Sequence, residues 1–174
     1  MVIVETQRLI ISELSLDDAS FFLKLVNTPN WLKFIGDRHI KTIEDAKEYL
    51  TNGTLKSYQE NGFGFYKLQE KLENKTVGTC GLIKREQLED VDLGFAFLPE
   101  FEGQGFGFES AKAVITLAHE RFKLNKLIAI TLPTNVKSIK LLEKLEFIYQ
   151  KRVIPFEDDA ELLLFAKQLE INKN

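Results

Sequence analysis

Three glycines lie within five residues, at Gly103, Gly105 and Gly107, in a chain of 174 residues that contains only ten glycines. Glycine has no side chain to keep a ligand away from its backbone amide. A predicted strand ends just before these glycines at Leu98, and a predicted helix follows them, so that the unpaired N–H groups and partial positive charge of a helix N-terminus lie close by. This arrangement predicts a site for a phosphate or pyrophosphate group.

The segment 103–108, called the glycine loop below, does not match two well-known phosphate-binding patterns. The chain contains no Gly-x-x-x-x-Gly-Lys-Ser/Thr string, and the dinucleotide pattern Gly-x-Gly-x-x-Gly would need a glycine where Phe108 stands. The dinucleotide loop also normally follows the first strand of its unit, whereas this loop lies in the middle of the chain. A tight turn alone would need one or two glycines. A nucleotide-binding module is therefore the weaker interpretation.

Few other side chains offer metal or nucleophile chemistry. Cys80 is the only cysteine, so an intrachain disulfide is impossible, and its apolar surroundings in the sequence favour a small buried residue. The two histidines, His39 and His119, do not have the spacing of metal ligands. We therefore expect no metal site.

Composition excludes two further classes of partner. The formal net charge is −3, with no basic face or tail that would indicate nucleic-acid binding. No apolar run approaches the roughly 20 residues of a membrane helix, and the N-terminus lacks the apolar core of a signal peptide. We expect a cytoplasmic protein that interacts with neither nucleic acid nor membrane, and one domain over residues 1–174.

Hydrophobic periodicity predicts an α/β domain with a mixed central sheet of six to seven strands and helices on both faces. Ser15, Thr42 and Asn135 are predicted to begin helices. The predicted order is β-α-α-β-β-β-α-β-α-β-β, with strands over residues 8–14, 64–68, 76–84, 91–98, 127–132, 147–154 and 161–169. In the fourth strand, Asp92 shares a small-sided face with Gly94 and Ala96, which suits the wall of a pocket.

Four stretches carry a family resemblance. They are Gly103-Gln-Gly-Phe-Gly107 with Glu109-Ser-Ala111 after it, Glu5-Thr-Gln-Arg-Leu-Ile-Ile11, Val77-Gly-Thr-Cys-Gly-Leu82, and Asn135-Val-Lys-Ser-Ile-Lys-Leu-Leu-Glu-Lys-Leu-Glu-Phe147. The first resembles motif A, Gln/Arg-x-x-Gly-x-Gly/Ala, of the GNAT superfamily of acyl-CoA N-acyltransferases. The other three resemble the branch that acetylates N-terminal alanines of ribosomal proteins. Three positions depart from these patterns: Glu102 stands at the Gln/Arg position, Glu146 replaces a glycine, and Leu142 replaces a tyrosine that many members use as a general acid.

The resemblance implies a GNAT-like fold that binds acetyl-CoA in a V-shaped split between strands 4 and 5. The pantetheine arm would pair with backbone groups near Phe97 and Leu98. The pyrophosphate would meet the backbone amides of Gln104, Gly105, Phe106, Gly107 and Phe108. Asn135 either contacts the cofactor or only caps its helix, and a homodimer is compatible with the family.

The implied reaction is direct attack of a neutral primary amine on the thioester. Neutralising an α-amine (pKa near 7.8) at pH 7 costs about 1 kcal/mol, whereas neutralising a lysine costs about 4.6 kcal/mol. Asp92 is the candidate base or water-holder, its alternative being a solvated or salt-bridged carboxylate. Ser138 matches a serine near the departing sulfur, its alternative being an ordinary first-turn residue. The expected acceptor is a protein or peptide N-terminus; the alternatives are a small-molecule amine and an acyl-CoA-binding sensor without turnover.

Overall fold

The computed structural model describes residues 1–158 and 160–169. Eight strands run in these residues: β1 Val2–Glu5, β2 Leu9–Glu13, β3 Phe65–Glu70, β4 Thr76–Ile83, β5 Asp92–Phe97, β6 Lys126–Thr131, β7 Ile148–Val153 and β8 Leu162–Gln168. The α-helices of the same residues are α1 Ala19–Val26, α2 Pro29–Phe34, α3 Ile43–Leu50, α4 Lys56–Asn61, α5 Phe106–Glu120 and α6 Val136–Lys144. None of these helices is both long enough and apolar enough to cross a membrane.

The strands form one mixed sheet in the order β1-β2-β3-β4-β5-β6-β8-β7. Every neighbouring pair is antiparallel except β5 and β6, which are parallel and share a single pair of facing residues, Asp92 and Ile128. Beyond that pair the two strands diverge and leave a split that opens toward the carboxyl ends of both. The predicted mixed α/β fold and the predicted split are thereby confirmed.

The strand count was predicted one short. β1 pairs with β2 in an antiparallel hairpin, and the turn between them is closed by the Thr6 amide, which donates to the Leu9 carbonyl at 2.9 Å. The turn Thr6-Gln-Arg8 contains no glycine, proline or asparagine, so the sequence gives no turn signal there. The predicted first strand is therefore β2 of an eight-stranded sheet, and the predicted strands 4 and 5 are β5 and β6.

Local hydrogen bonds explain where the helices start. Ser15 and Asp18 form a capping box, and Thr42 and Asp45 form a second one that opens α3. Asn135 caps α6 by accepting a hydrogen bond from the Ser138 amide at 3.2 Å. The helix starts predicted at Thr42 and Asn135 are confirmed. Ser15 is also an N-cap, but it opens a 3-10 turn, Leu16–Asp18, and α1 begins after that turn at Ala19.

Helices cover both faces of the sheet around β5. On one face, Leu93 and Phe95 join the core cluster that contains Ala111 and Val114 of α5. On the other face, Ala96 packs with the cluster that α1, α2 and α3 build. Because successive residues of a strand point to opposite faces, β5 is held from both sides at the split.

Candidate functional site

The three glycines of the loop serve different structural needs. Gly103 and Gly105 have φ of +72° and +83°, a left-handed conformation that other residues rarely adopt. Gly107 instead allows close packing, since a Cβ there would lie 3.0 Å from Leu141 Cδ2 of α6 and 3.5 Å from Phe97 Cε2. The loop therefore turns sharply and then lets α5 approach both Phe97 and α6.

The backbone amides of residues 104–108 lie before the first backbone hydrogen bond of α5. Gly105 is the N-cap of α5 and supplies no side-chain cap. The first amide that bonds back to the loop is that of Glu109, which donates to the Gly105 carbonyl at 3.1 Å. Among the described residues, the amides of residues 104–108 have no hydrogen-bond partner. Five neighbouring donors at a helix N-terminus form a site that favours an anion.

Arg8 braces this loop and was missed in the sequence as a functional residue. Its Nη1 donates to the Gln104 carbonyl at 2.9 Å and its Nε donates to Glu109 Oε2 at 2.7 Å. Its backbone amide donates to Glu109 Oε1 at 2.8 Å, and its guanidinium lies 4.5 Å from the centre of the Phe106 ring. Thr6 Oγ1 adds a hydrogen bond to Glu109 Oε1 at 2.6 Å. The sequence of Glu5-Thr-Gln-Arg8 showed a family resemblance but did not indicate a role for Arg8. These contacts join residues about 100 positions apart, and a local pattern does not reveal them.

The acid at position 102 has compensating partners. Asn30 donates to Glu102 Oε1 at 2.7 Å, and Lys137 Nζ lies 3.1 Å from Glu102 Oε2. The negative charge beside the glycine loop is thus paired with a cation from α6 and turned toward α2. An exposed lysine therefore partly compensates the charge of Glu102 beside the proposed phosphate site.

Phe97 and Leu98 differ in what they can offer a ligand. Phe97 is half-buried beside Gly107. The Leu98 amide donates to the Val77 carbonyl at 2.9 Å, the Leu98 carbonyl accepts from the Phe101 amide at 2.9 Å, and its side chain is buried in the cluster of α1 to α3. The backbone of Leu98 is therefore already paired within the chain, whereas Phe97 borders the split.

Asp92 lies at the apex of the split, where β5 and β6 are still paired. Its side chain is buried, and Arg85 Nε donates to its Oδ2 at 2.8 Å. Its Oδ1 has no hydrogen-bond partner among the described residues. Burial raises the pKa of Asp92 to about 6, against the opposing effect of the Arg85 cation. The carboxyl is thus salt-bridged through Oδ2. Among the described residues Oδ1 has no partner within hydrogen-bond geometry, although the Ile130 backbone amide is near enough to the carboxyl to oppose the rise in its pKa.

Ser138 lies in the first turn of α6, after the carboxyl end of β6, whereas Asp92 lies beside the start of β6. Its amide is held by Asn135, but among the described residues its hydroxyl has no hydrogen-bond partner. The structure does not bring Ser138 and Asp92 into hydrogen-bond contact. It does bring together residues Gln104 to Phe108, Phe97 and α6.

Two other possibilities, a cysteine nucleophile and a metal site, have no support in the described residues. Cys80 is buried, and burial raises the pKa of its thiol to about 12, so it is no nucleophile. Among the described residues, no group of three or more His, Cys, Asp or Glu side chains could hold a metal ion.

Comparison with known proteins identifies the family. The acetyltransferase (GNAT) domain family matches residues 8–148. The chain belongs to this family. A relative from Bacillus licheniformis, described as the uncharacterized N-acetyltransferase p20, is 26% identical over 145 residues, which cover 82% of this chain and 80% of that protein. The chain is accordingly an acyltransferase of the N-acetyltransferase class, and the family predicted from the motifs is confirmed.

Solved structures share the fold of this acetyltransferase. RimL, a ribosomal-protein α-N-acetyltransferase in complex with coenzyme A, has a TM-score of 0.82 at 15% identity, with 97% of this chain and 98% of that chain covered. A chimera of the spermidine N-acetyltransferase SpeG from Vibrio cholerae has a TM-score of 0.76 at 15% identity, with 94% and 96% covered. Proteins of one fold thus act on different amines.

The two remaining departures from the family pattern have structural explanations. Glu146 adopts φ +65°, the left-handed conformation that a glycine would take, and the Phe147 amide still closes the turn on the Leu142 carbonyl at 2.9 Å. The turn after α6 is therefore retained. Leu142 is buried in the core, so this position contributes no acid.

Proposed function

We propose that this acetyltransferase transfers the acetyl group of acetyl-CoA to a primary amine by direct attack, and that the acceptor is the N-terminal α-amine of a protein or peptide. We take residues 1–174 as one such domain. The observation that carries the proposal is a row of five amides at the start of α5 that have no hydrogen-bond partner in the described part of the chain. They lie at the open end of the split between β5 and β6.

In this proposal the pyrophosphate binds the amides of residues 104–108. The pantetheine arm runs back along β5 from Phe97 toward Asp92, a distance of about 16 Å for five residues of strand. Beyond the Asp92–Ile128 pair, strand alternation directs the backbone groups of Phe95 and Phe97 into the split, where an extended amide chain can pair with them. Asn135 uses Oδ1 for the helix cap, which leaves its Nδ2 donors for the ligand.

The acceptor amine must lose a proton before it attacks. In the proposed reaction that proton passes to Asp92 through water, and the neutral amine nitrogen then bonds to the carbonyl carbon. As the C–S bond breaks, the nitrogen loses a second proton to solvent, which leaves a neutral amide. CoA leaves as a thiolate, with the Ser138 hydroxyl donating to the sulfur and solvent protonating it. With Asp92 at a pKa of about 6, the transfer from an α-amine is uphill by about 2 kcal/mol and from a lysine by about 6 kcal/mol.

A matched peptide panel tests the acceptor. At pH 7 the neutral fraction of an α-amine exceeds that of a lysine on the order of 400-fold. We therefore expect CoA thiol release with a lysine-containing peptide that has a free N-terminus, and almost none with the same peptide N-acetylated. Equal release from both peptides would refute the α-amine preference.

A small-molecule amine is the second candidate, because the spermidine enzyme has the same fold. Spermidine belongs in the panel for that reason. Release with spermidine and not with either peptide would replace the N-terminal acceptor with a polyamine. Membership of an acetyltransferase family favours turnover over a role as an acyl-CoA sensor.

A further inference from the structure

The turn between β1 and β2 reaches across to the start of α5 and encloses one carboxylate. Glu109 accepts hydrogen bonds from Thr6 Oγ1, from the Arg8 amide and from Arg8 Nε. Burial acts to raise the pKa of Glu109, but the donors from Thr6 and Arg8 hold it below its usual range. Glu109 is therefore a carboxylate in the first turn of α5, where an unpaired negative charge would repel an anionic ligand.

Arg8 contacts the loop backbone as well as this carboxylate. Its Nη1 holds the Gln104 carbonyl, and a Cβ placed on Gly105 would lie 3.2 Å from its Nη2. With Phe106 beneath the guanidinium, Arg8 fixes the peptide groups that precede and begin α5. Holding the Gln104 carbonyl toward Arg8 directs the Gly105 amide, which belongs to the same planar trans peptide unit, to the opposite side.

We propose that Arg8 is a positioning residue for the pyrophosphate of acetyl-CoA, which it serves by neutralising Glu109 and by holding the glycine loop with its amides toward the ligand. This inference rests on the proposed function. It assigns a binding role to a residue of the β1–β2 turn, an element that lies outside the loop and the split.

The alternative is that Arg8 only ties the hairpin to α5 and contributes to stability. The two roles differ in what they predict for a substrate without phosphates. Acetyl-pantetheine contains the thioester and the arm but no pyrophosphate. If R8M only destabilises the fold, the binding of both substrates becomes weaker. If it misplaces the groups that bind the pyrophosphate, only the binding of acetyl-CoA becomes weaker.

The test compares wild type with R8M, R8K and the double variant R8M/E109Q. Thiol release gives KM for acetyl-CoA and for acetyl-pantetheine, and calorimetry gives Kd for CoA and for pantetheine. R152M is the matched control, because Arg152 is paired with Glu161 on the β7–β8 hairpin, away from the loop.

We expect R8M to raise KM and Kd for the CoA forms about tenfold, the equivalent of one charge-assisted hydrogen bond, and to leave the pantetheine forms within about twofold of wild type. R8K should be intermediate, since it keeps the charge and loses the fork of donors. E109Q should restore part of the lost affinity in the double variant, because it removes the unpaired carboxylate. R152M should match wild type.

An equal loss for both substrates in R8M and R8K, or no loss in either, would overturn the inference. R8K keeps the comparison available if R8M does not fold. Failure of the proposed function has a different signature: wild type itself would then bind CoA no better than pantetheine, or release no thiol with any amine.

Discussion

Replacing Gly105 by alanine tests two features of the loop, the left-handed backbone at this position and the contact of the loop with Arg8. Gly105 has φ +83°, so an alanine there is strained by about 1–2 kcal/mol. Its Cβ would also lie 3.2 Å from Arg8 Nη2, so the guanidinium must shift. For a chain of this size the strain corresponds to a fall in Tm of roughly 2–8 °C.

Gly103→Ala is the matched control for this variant. Gly103 has φ +72°, but a Cβ there would meet no atom within 4 Å. We expect both variants to lose similar stability in thermal unfolding, and only G105A to lose affinity for CoA, by about tenfold. Two results would refute this prediction: a loss of CoA affinity in G103A as large as that in G105A, or unfolding of G105A at the wild-type temperature.

Three other residues give separate predictions. D92N should lower kcat/KM by about 10²-fold or more and remove a limb that rises through pH 6, since only the ionised carboxyl accepts a proton; a wild-type profile in D92N would exclude the base role. The folded pKa of Asp92 is above its unfolded value, so the protonated carboxyl stabilises the folded state fully below about pH 4. As pH rises through 6 this stabilisation, about 3 kcal/mol in the free energy of unfolding, is lost. Denaturant titrations of D92N at several pH values should lack this pH dependence. S138A should lower kcat with KM for acetyl-CoA and Tm unchanged, and an unchanged kcat would remove it from the site. E146G should raise Tm, because it relieves the strained φ of +65° at an exposed position; a lower Tm would show that the ion pair with Lys167 matters more.

Features that depend on neighbouring residues could be predicted from the sequence. The capping boxes of Ser15 and Thr42 each join residues three positions apart, and the glycine loop is a continuous string. Strand alternation placed Asp92 and Ala96 on one face of β5, and the structure has them there. These signals are local, so a single sequence contains them.

Contacts between distant segments could not be predicted in this way. Arg8 and Glu109 are 101 positions apart, and Asn30 and Glu102 are 72 positions apart. Neither pair has a spacing that a pattern could detect, since both are set by how the strands and helices pack. The sequence therefore indicated an anion site and an acid, Glu102, beside it. It did not show that Arg8 holds the loop, or that Asn30 and Lys137 contact Glu102.

The segment Val77 to Leu82, one of the four stretches that resemble the family, contains two glycines, Gly78 and Gly81. Their role in packing was not evident from the sequence. A Cβ on Gly78 would lie 2.3 Å from the Ala96 carbonyl oxygen, and one on Gly81 would lie 2.2 Å from the Gly64 carbonyl oxygen. Both are backbone clashes that a side chain cannot relieve. That motif therefore maintains the spacing of β3, β4 and β5 beside the split.

The central claim is that the glycine loop binds the pyrophosphate of CoA, and calorimetric titration tests it most directly. CoA, pantetheine, ATP and NAD are titrated into wild type and G105A under the same conditions. We expect CoA to bind wild type at least about tenfold more tightly than pantetheine does. This advantage should shrink in G105A, and ATP and NAD should bind more weakly than CoA. Tight binding of ATP or NAD without binding of CoA, or equal affinity for CoA and pantetheine, would contradict the central claim.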